Sequence, residues 1–258
     1  MKTSLISLHR QLRPITLLAI TLVLACHGIL VSATAAVPVA WGLNTAGELG
    51  NGTTGPIGSL VPEAVTTAGT PLAGKTIIAL ATGGVHSLAL CSDGTLVAWG
   101  ANNYGQLGNG TTGSTGSSVP GAVTTAGTPL AGKTVIAISA GGFHSLALCS
   151  DGTLAAWGKN VYGQLGNGTT GPIGSLVPGA VTTAGTPLAG KTVIAISAGA
   201  AHNLALCSDG TLAAWGYNLD GELGNGTTGS VGSLVPGAVT TAGTPLAGKT
   251  VTAVSAGE

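Results

Sequence analysis

"HSLALCSDGTLAAWG", running from His144 to Gly158, decides the fold. Its two apolar runs, "HSLALC" and "TLAAWG", are too short for helices and flank Ser150-Asp151-Gly152, where Asp and Gly accept the positive φ that a tight hairpin demands. Placing Asp151-Gly152 at the tip pairs Leu148 with Ala155 and Leu146 with Trp157 on one face, and leaves Ala147 and Cys149 on the other. Both faces are apolar, one bulky and one small. That composition predicts a sheet packed between two neighbours rather than one facing water.

Outward from the hairpin, the chain repeats itself. Trp41, Trp99, Trp157 and Trp215 stand 58 residues apart, and His86, His144, His202 and Cys91, Cys149, Cys207 keep the same step. The unit from Trp99 to Ala156 matches that from Trp157 to Ala214 at 50 of 58 positions. One supersecondary unit is used again and again. Two further strands are expected in each unit, "KTVIAIS" from Lys133 and "VPGAVTT" from Val177. Four short strands per repeat predict an all-β fold, a β-propeller or related stack of four-stranded blades.

The stretch "GGFHSLALCSDGTLAAWGKNVYGQLGNGT", Gly141 to Thr169, resembles the repeat of the regulator of chromosome condensation family. The elements G-x-x-H-S-L-A-L, D-G-x-L and W-G-x-N-x-x-G-Q-L-G support the likeness, which covers about four units and all of residues 36–258. It implies a propeller in which family members close a ring of about seven blades. Here the first unit begins inside the pattern at "VAWG" (Val39 to Gly42), and the last stops at "VSAGE". A fragment, an open arc, a closed four-blade ring and half of an oligomer all fit; an incomplete propeller is the expectation.

Residues 1–35 read as an export signal, with Lys2, Arg10 and Arg13 ahead of an apolar core from Pro14 to Ala25 and a small-residue site at Ala33-Thr34-Ala35. Cleavage is expected after Ala35 or Ala36, giving a secreted, extracellular or cell-surface protein. The alternative takes Val23-Leu24-Ala25-Cys26 as a lipoprotein box, a poor match, with membrane attachment through Cys26 and an anchored or periplasmic protein. Beyond residue 35 stand five lysines, eight acids and no arginine, a net charge of −3. Nucleic acid is excluded as a partner, because a binder needs basic surface and Arg forks.

"AGTPLAGKT" matches the phosphate-cradle pattern G-x-x-x-x-G-K-[ST] from Gly69 to Thr76 and returns at Thr134, Thr192 and Thr250. A working cradle lies between a strand and a helix. Here Thr-Val-Ile-Ala-Ile-Ser follows the lysine, a β-branched run, so a turn entering a strand is expected and no nucleotide. His86, His144 and His202 are read as structural, each fixing its own blade through a ring nitrogen, rather than as a zinc triad. Cys91, Cys149 and Cys207 are read as buried small hydrophobes. Asn-Gly-Thr at Asn51, Asn109, Asn167 and Asn225 fits both a glycan acceptor and a turn. Neither catalytic residues nor a cofactor or metal is expected.

Differences between units gather after each Trp-Gly. They are Leu43, Thr45 and Ala46; Ala101, Asn103 and Tyr104; Lys159, Val161 and Tyr162; Tyr217, Leu219 and Asp220. A second set comprises Ser114 and Thr115 against Pro172 and Ile173. Rim loops vary without disturbing a core, so the first set is the candidate face for an unknown protein partner. The expected function is an exported, non-enzymatic scaffold for protein recognition. The alternatives are an inhibitor of secreted enzymes, a self-associating surface array using open blade edges, and a guanine-nucleotide exchange regulator, whose partner an exported chain does not meet.

Overall fold

The computed structural model describes residues 27–31 and 37–257. The expected leader, with Cys26, lies outside the described residues apart from His27–Val31. These five residues form β1, which pairs antiparallel with β2 (Pro38–Asn44), itself paired with β3 (Gly55–Ala64). Cleavage after Ala35 or Ala36 would remove β1 and bare the edge of β2.

Three four-stranded sheets follow. The second holds β4 (Ile77–Thr82), β5 (His86–Cys91), β6 (Leu96–Asn102) and β7 (Gly113–Ala122). The third holds β8 (Val135–Ala140), β9 (His144–Cys149), β10 (Leu154–Asn160) and β11 (Gly171–Ala180). The fourth holds β12 (Val193–Ala198), β13 (His202–Cys207), β14 (Leu212–Asn218) and β15 (Gly229–Ala238). Each is an antiparallel meander with strands in sequence order, and β4, β8 and β12 lie against one another at the hub. Blades stacked in this way make an all-β, incomplete propeller.

The hairpin register is one residue away from the expected pairing. Leu154 faces Leu148, Ala155 faces Ala147, Ala156 faces Leu146 and Trp157 faces Ser145. The cause is the turn: Cys149 N–H bonds to Thr153 O at 2.9 Å, and Gly152, at φ 84°, is the left-handed third residue of a three-residue loop. A one-residue shift moves the tryptophan to the other face. The bulky face is therefore Leu146, Leu148, Leu154 and Ala156, and the small face Ala147, Cys149, Ala155 and Trp157. The fourth strand also lies earlier than expected, at Gly171–Ala180 rather than from Val177 to Thr183, because two bulges in its pairing with β10 bring the glycine-rich stretch into the ladder.

This alternation explains the stacking. Leu88, Leu90, Leu96 and Ala98 of the second sheet pack on Ala147, Cys149, Ala155 and Trp157 of the third. In turn Leu146, Leu148, Leu154 and Ala156 pack on Ala205, Cys207, Ala213 and Trp215 of the fourth. Ala40 and Leu49 likewise meet Ala89, Cys91, Val97 and Trp99. Leucines fill the space that alanine and cysteine leave, and each fully buried Leu or Trp contributes roughly 1.5–3 kcal/mol of hydrophobic free energy. Trp99, Trp157 and Trp215 are all 0% exposed.

Candidate protein-binding rim

Each blade ends its third strand in an asparagine that shapes the following loop. Asn102 Oδ1 accepts from Leu107 N at 3.1 Å while its Nδ2 donates to Thr111 O at 3.0 Å. Asn44, Asn160 and Asn218 do the same in their blades. Inside the loop, Gln106 Oε1 accepts from Tyr104 N at 2.9 Å, Gln164 Oε1 from Tyr162 N at 2.8 Å, Glu48 from Ala46 N at 2.8 Å and Glu222 from Asp220 N at 3.0 Å. Side chains that differ between units thus project from loops whose backbones are tied down.

The loops of successive blades meet. Tyr104 stands edge-on to Phe143 with ring centroids 5.4 Å apart, and Lys159 Nζ lies 5.0 Å from the first ring and 5.1 Å from the second. Tyr162 and Tyr217 make a second edge-to-face pair at 4.8 Å. Beside this pair opens a cleft of about 160 Å³, lined by Tyr162, Ala200, Ala201, His202, Tyr217 and Glu222. Tyr104, Lys159, Tyr162 and Tyr217 of the expected residues thus come together in two aromatic pairs. Thr45, Asn103, Val161, Leu219 and Asp220 are exposed in the same loops, and Leu43 is exposed near the end of β2.

Ala101 is a correction: at 6% exposure it is buried and has no surface to offer a partner. Ser114, Thr115, Pro172 and Ile173 lie on the outer strands β7 and β11 rather than in these loops. Phe143 was missed, although Val85, Phe143 and Ala201 differ at one repeat position and the same comparison of units would have found it.

The histidines also need correction. His86 Nε2 meets Ser145 Oγ at 2.8 Å and His144 Nε2 meets Asn203 Oδ1 at 2.7 Å, so each ring bonds to the next blade and not its own. Asn203 Oδ1 only accepts, which places the proton of His144 on Nε2. Ser145 gives its own proton to Gln106 O at 2.9 Å, so His86 donates to it in turn. That direction, with both residues buried, is the opposite of a nucleophile activated by a base. Burial lowers the pKa of His86 to about 3, with nearby His144 the lesser cause. Burial lowers that of His144 to about 4, against the bond to Asn203, which favours the charged form.

Among the described residues no group of three or more His, Cys, Asp or Glu side chains is placed to hold a metal. Cys91, Cys149 and Cys207 are free and buried, and burial pushes their thiols up. The first three cradle-like segments are chains of turns entering β4, β8 and β12, and the fourth leads into residues 251–257. In the first three the lysine pairs with the hairpin aspartate: Lys75 with Asp93 at 2.6 Å, Lys133 with Asp151 at 2.9 Å and Lys191 with Asp209 at 3.0 Å.

Two family models of the regulator of chromosome condensation (RCC1) repeat match the chain, one over residues 93–148 and 151–206, the other over 77–106, 135–164 and 193–222. The human E3 ubiquitin-protein ligase HERC2 is 36% identical over 154 residues, which are 60% of this chain and 3% of that protein. The crystal structure of human WBSCR16 superposes with a TM-score of 0.71 at 28% identity, over 90% of this chain and 53% of that one. Prp20p from Saccharomyces cerevisiae gives 0.69 at 21% identity, over 84% of this chain and 49% of that one, a likeness of fold alone. The chain spans about half the length of these structures and a small part of the ligase.

Proposed function

The chain belongs to the regulator of chromosome condensation repeat family, and from that premise we propose that it is a non-enzymatic scaffold that captures a protein partner on its aromatic rim. The observation that carries this reading is the meeting of Tyr104, Phe143 and Lys159, and of Tyr162 and Tyr217, with Tyr104 and Tyr162 on loops held by Asn102 and Asn160, Lys159 and Tyr217 near the ends of β10 and β14, and Phe143 just ahead of β9. Tyrosine supplies wide contact area at low entropic cost, and interfaces concentrate their energy in such anchors. Lys159 over two rings suits a partner that brings a carboxylate to an apolar contact.

Protein recognition is also what Prp20p does, with Gsp1p and histones. At 21% identity the fold carries over and those partners do not. The ligase name of HERC2 belongs to a protein of which this chain matches 3%, so no ligase activity is assigned. The export signal read over residues 1–35 puts the partner outside the cytoplasm.

Capture from the extracellular fraction with the native chain and with a Tyr104→Ala/Phe143→Ala/Tyr162→Ala/Tyr217→Ala variant tests the reading. The native chain should retain a partner that the variant loses while keeping its thermal unfolding midpoint. A partner held equally by both would refute the rim as the binding face.

A further inference from the structure

The two aromatic pairs of the rim use the same repeat positions with opposite chemistry. Between the second and third sheets, Tyr104 and Phe143 share Lys159, whose ammonium lies 5.0 Å from one ring centroid and 5.1 Å from the other. A cation within about 6 Å of a ring is held by the ring quadrupole, so this pair already has its cation. One repeat later, between the third and fourth sheets, Tyr162 keeps the tyrosine, Ala201 stands for Phe143 and Tyr217 for Lys159. The following loop changes as well. Asp220 stands where the third blade has Tyr162, and Glu222 where it has Gln164.

Each exchange adds room or negative charge. With no phenyl ring at Ala201, the cleft of about 160 Å³ opens beside Tyr162 and Tyr217, whose centroids are 4.8 Å apart. Tyr217 feels both new carboxylates: its hydroxyl pKa is raised by partial burial first, then by Asp220 and Glu222. Glu222 lines the cleft, with Oε2 accepting from Asp220 N at 3.0 Å and Oε1 without a partner among the described residues. Among the described residues neither carboxylate makes an ion pair. His202, on the cleft wall, has its pKa lowered by burial against the pull of Glu222, so at neutral pH it brings no positive charge.

Packing does not call for these residues. At the first boundary the same positions hold Ala46, Val85 and Ala101, and Ala40 and Leu49 still pack on Trp99 there. Tyr162, Ala201 and Tyr217 all belong to the third and fourth blades, so the ring pair lies within a boundary that the described chain contains whole.

We propose that the cleft beside Tyr162 and Tyr217 takes the ammonium or guanidinium of a lysine or arginine side chain on the captured protein, with the rings against the cation and Asp220 and Glu222 next to it. The identity of the occupant as a protein side chain rests on the rim reading; the affinity of the cleft for such a cation is measured apart from it. One blade earlier Lys159 suits a carboxylate. Two successive boundaries thus present opposite charges, which fixes the direction in which a partner segment lies across the rim.

The amide NMR signals of Ala201 and Tyr217 in the full chain, titrated with N-acetylarginine amide and with its uncharged isostere N-acetylcitrulline amide, test the site. The arginine probe should shift both signals to saturation, and the citrulline probe should leave them in place. In Asp220→Asn/Glu222→Gln the dissociation constant of the arginine probe should rise about tenfold. That variant keeps the loop, because glutamine at position 222 is what Gln106 and Gln164 supply in the preceding blades. Tyr217→Lys, which gives the fourth blade its own cation, should abolish the response. Equal shifts with both probes, or a carboxylate variant that binds as the native chain does, would overturn the site and leave the rim to its own capture experiment. Tetramethylammonium bound more tightly than the arginine probe would overturn it too, in favour of a small quaternary amine. An arginine response in a chain whose partner survives the four-alanine substitution would sustain the cation site and refute the rim.

Discussion

Trp157 donates its indole N–H to the main-chain carbonyl of Gln106, 51 residues earlier, at 2.9 Å. Ser145 Oγ donates to that same oxygen at 2.9 Å, and His86 reaches Ser145 from the preceding blade. Both lone pairs of a buried carbonyl are thereby used, and the loop that carries Tyr104 is locked to the next sheet. A low-dielectric setting strengthens such a network and makes each missing partner costly.

Trp157→Phe removes the indole donor and part of the ring that fills the small face. The expected loss is about 2 kcal/mol, a hydrogen bond plus a cavity. Trp41→Phe, partly exposed and outside any of the three internal interfaces, should stay within about 0.5 kcal/mol of the native chain. Urea unfolding of the two variants measures the difference.

Two glycines separate backbone strain from steric conflict. Gly108 sits at φ 65° with a virtual Cβ 2.6 Å from Trp157 Nε1, whereas Gly152 sits at φ 84° with nothing within 4 Å. Gly152→Ala should cost the left-handed penalty alone, about 1–2 kcal/mol. Gly108→Ala adds displacement of a packed tryptophan and should cost about 3 kcal/mol or more. Thermal unfolding of both variants checks the order.

Stability should fall on mild acidification. His86 and His144 are held neutral down to about 3 and 4, below the unfolded value of 6.5. Between pH 6.5 and 4 the unfolded chain binds protons that the native chain refuses, so stability drops as pH falls. The slope approaches about 2.7 kcal/mol per pH unit for two such groups. Asp93 and Asp151, each lowered to about 2 by hydrogen bonds from its paired lysine and then the nearby threonine, and Asp209, lowered to about 2 by Thr211 and then Lys191, add their loss only below about pH 4. A stability profile flat from pH 7 to 5 would contradict the neutral histidine ladder.

The repeat, the strand pair "HSLALC" and "TLAAWG", and the place of the variable loops were legible because periodicity and apolar runs are local signals. The hairpin register was not. Both faces of β9 and β10 are apolar, so a shift of one residue leaves the pattern equally satisfied, and only the three-residue loop closed by Gly152 decides it. The bonds of His86 and His144 span 59 residues, one more than the repeat, and become visible only when neighbouring blades are set side by side. Ala101 and Phe143 show the limit of reading variation as surface: one varies and is buried, the other varies and forms the rim.

Exchange of the four indole N–H protons, followed by NMR, tests the blade-on-blade account most directly. The account predicts slow exchange at Trp99, Trp157 and Trp215, each bonded to the carbonyl of Glu48, Gln106 or Gln164, and fast exchange at Trp41. Four indoles exchanging alike, or rapid exchange at Trp157, would contradict it.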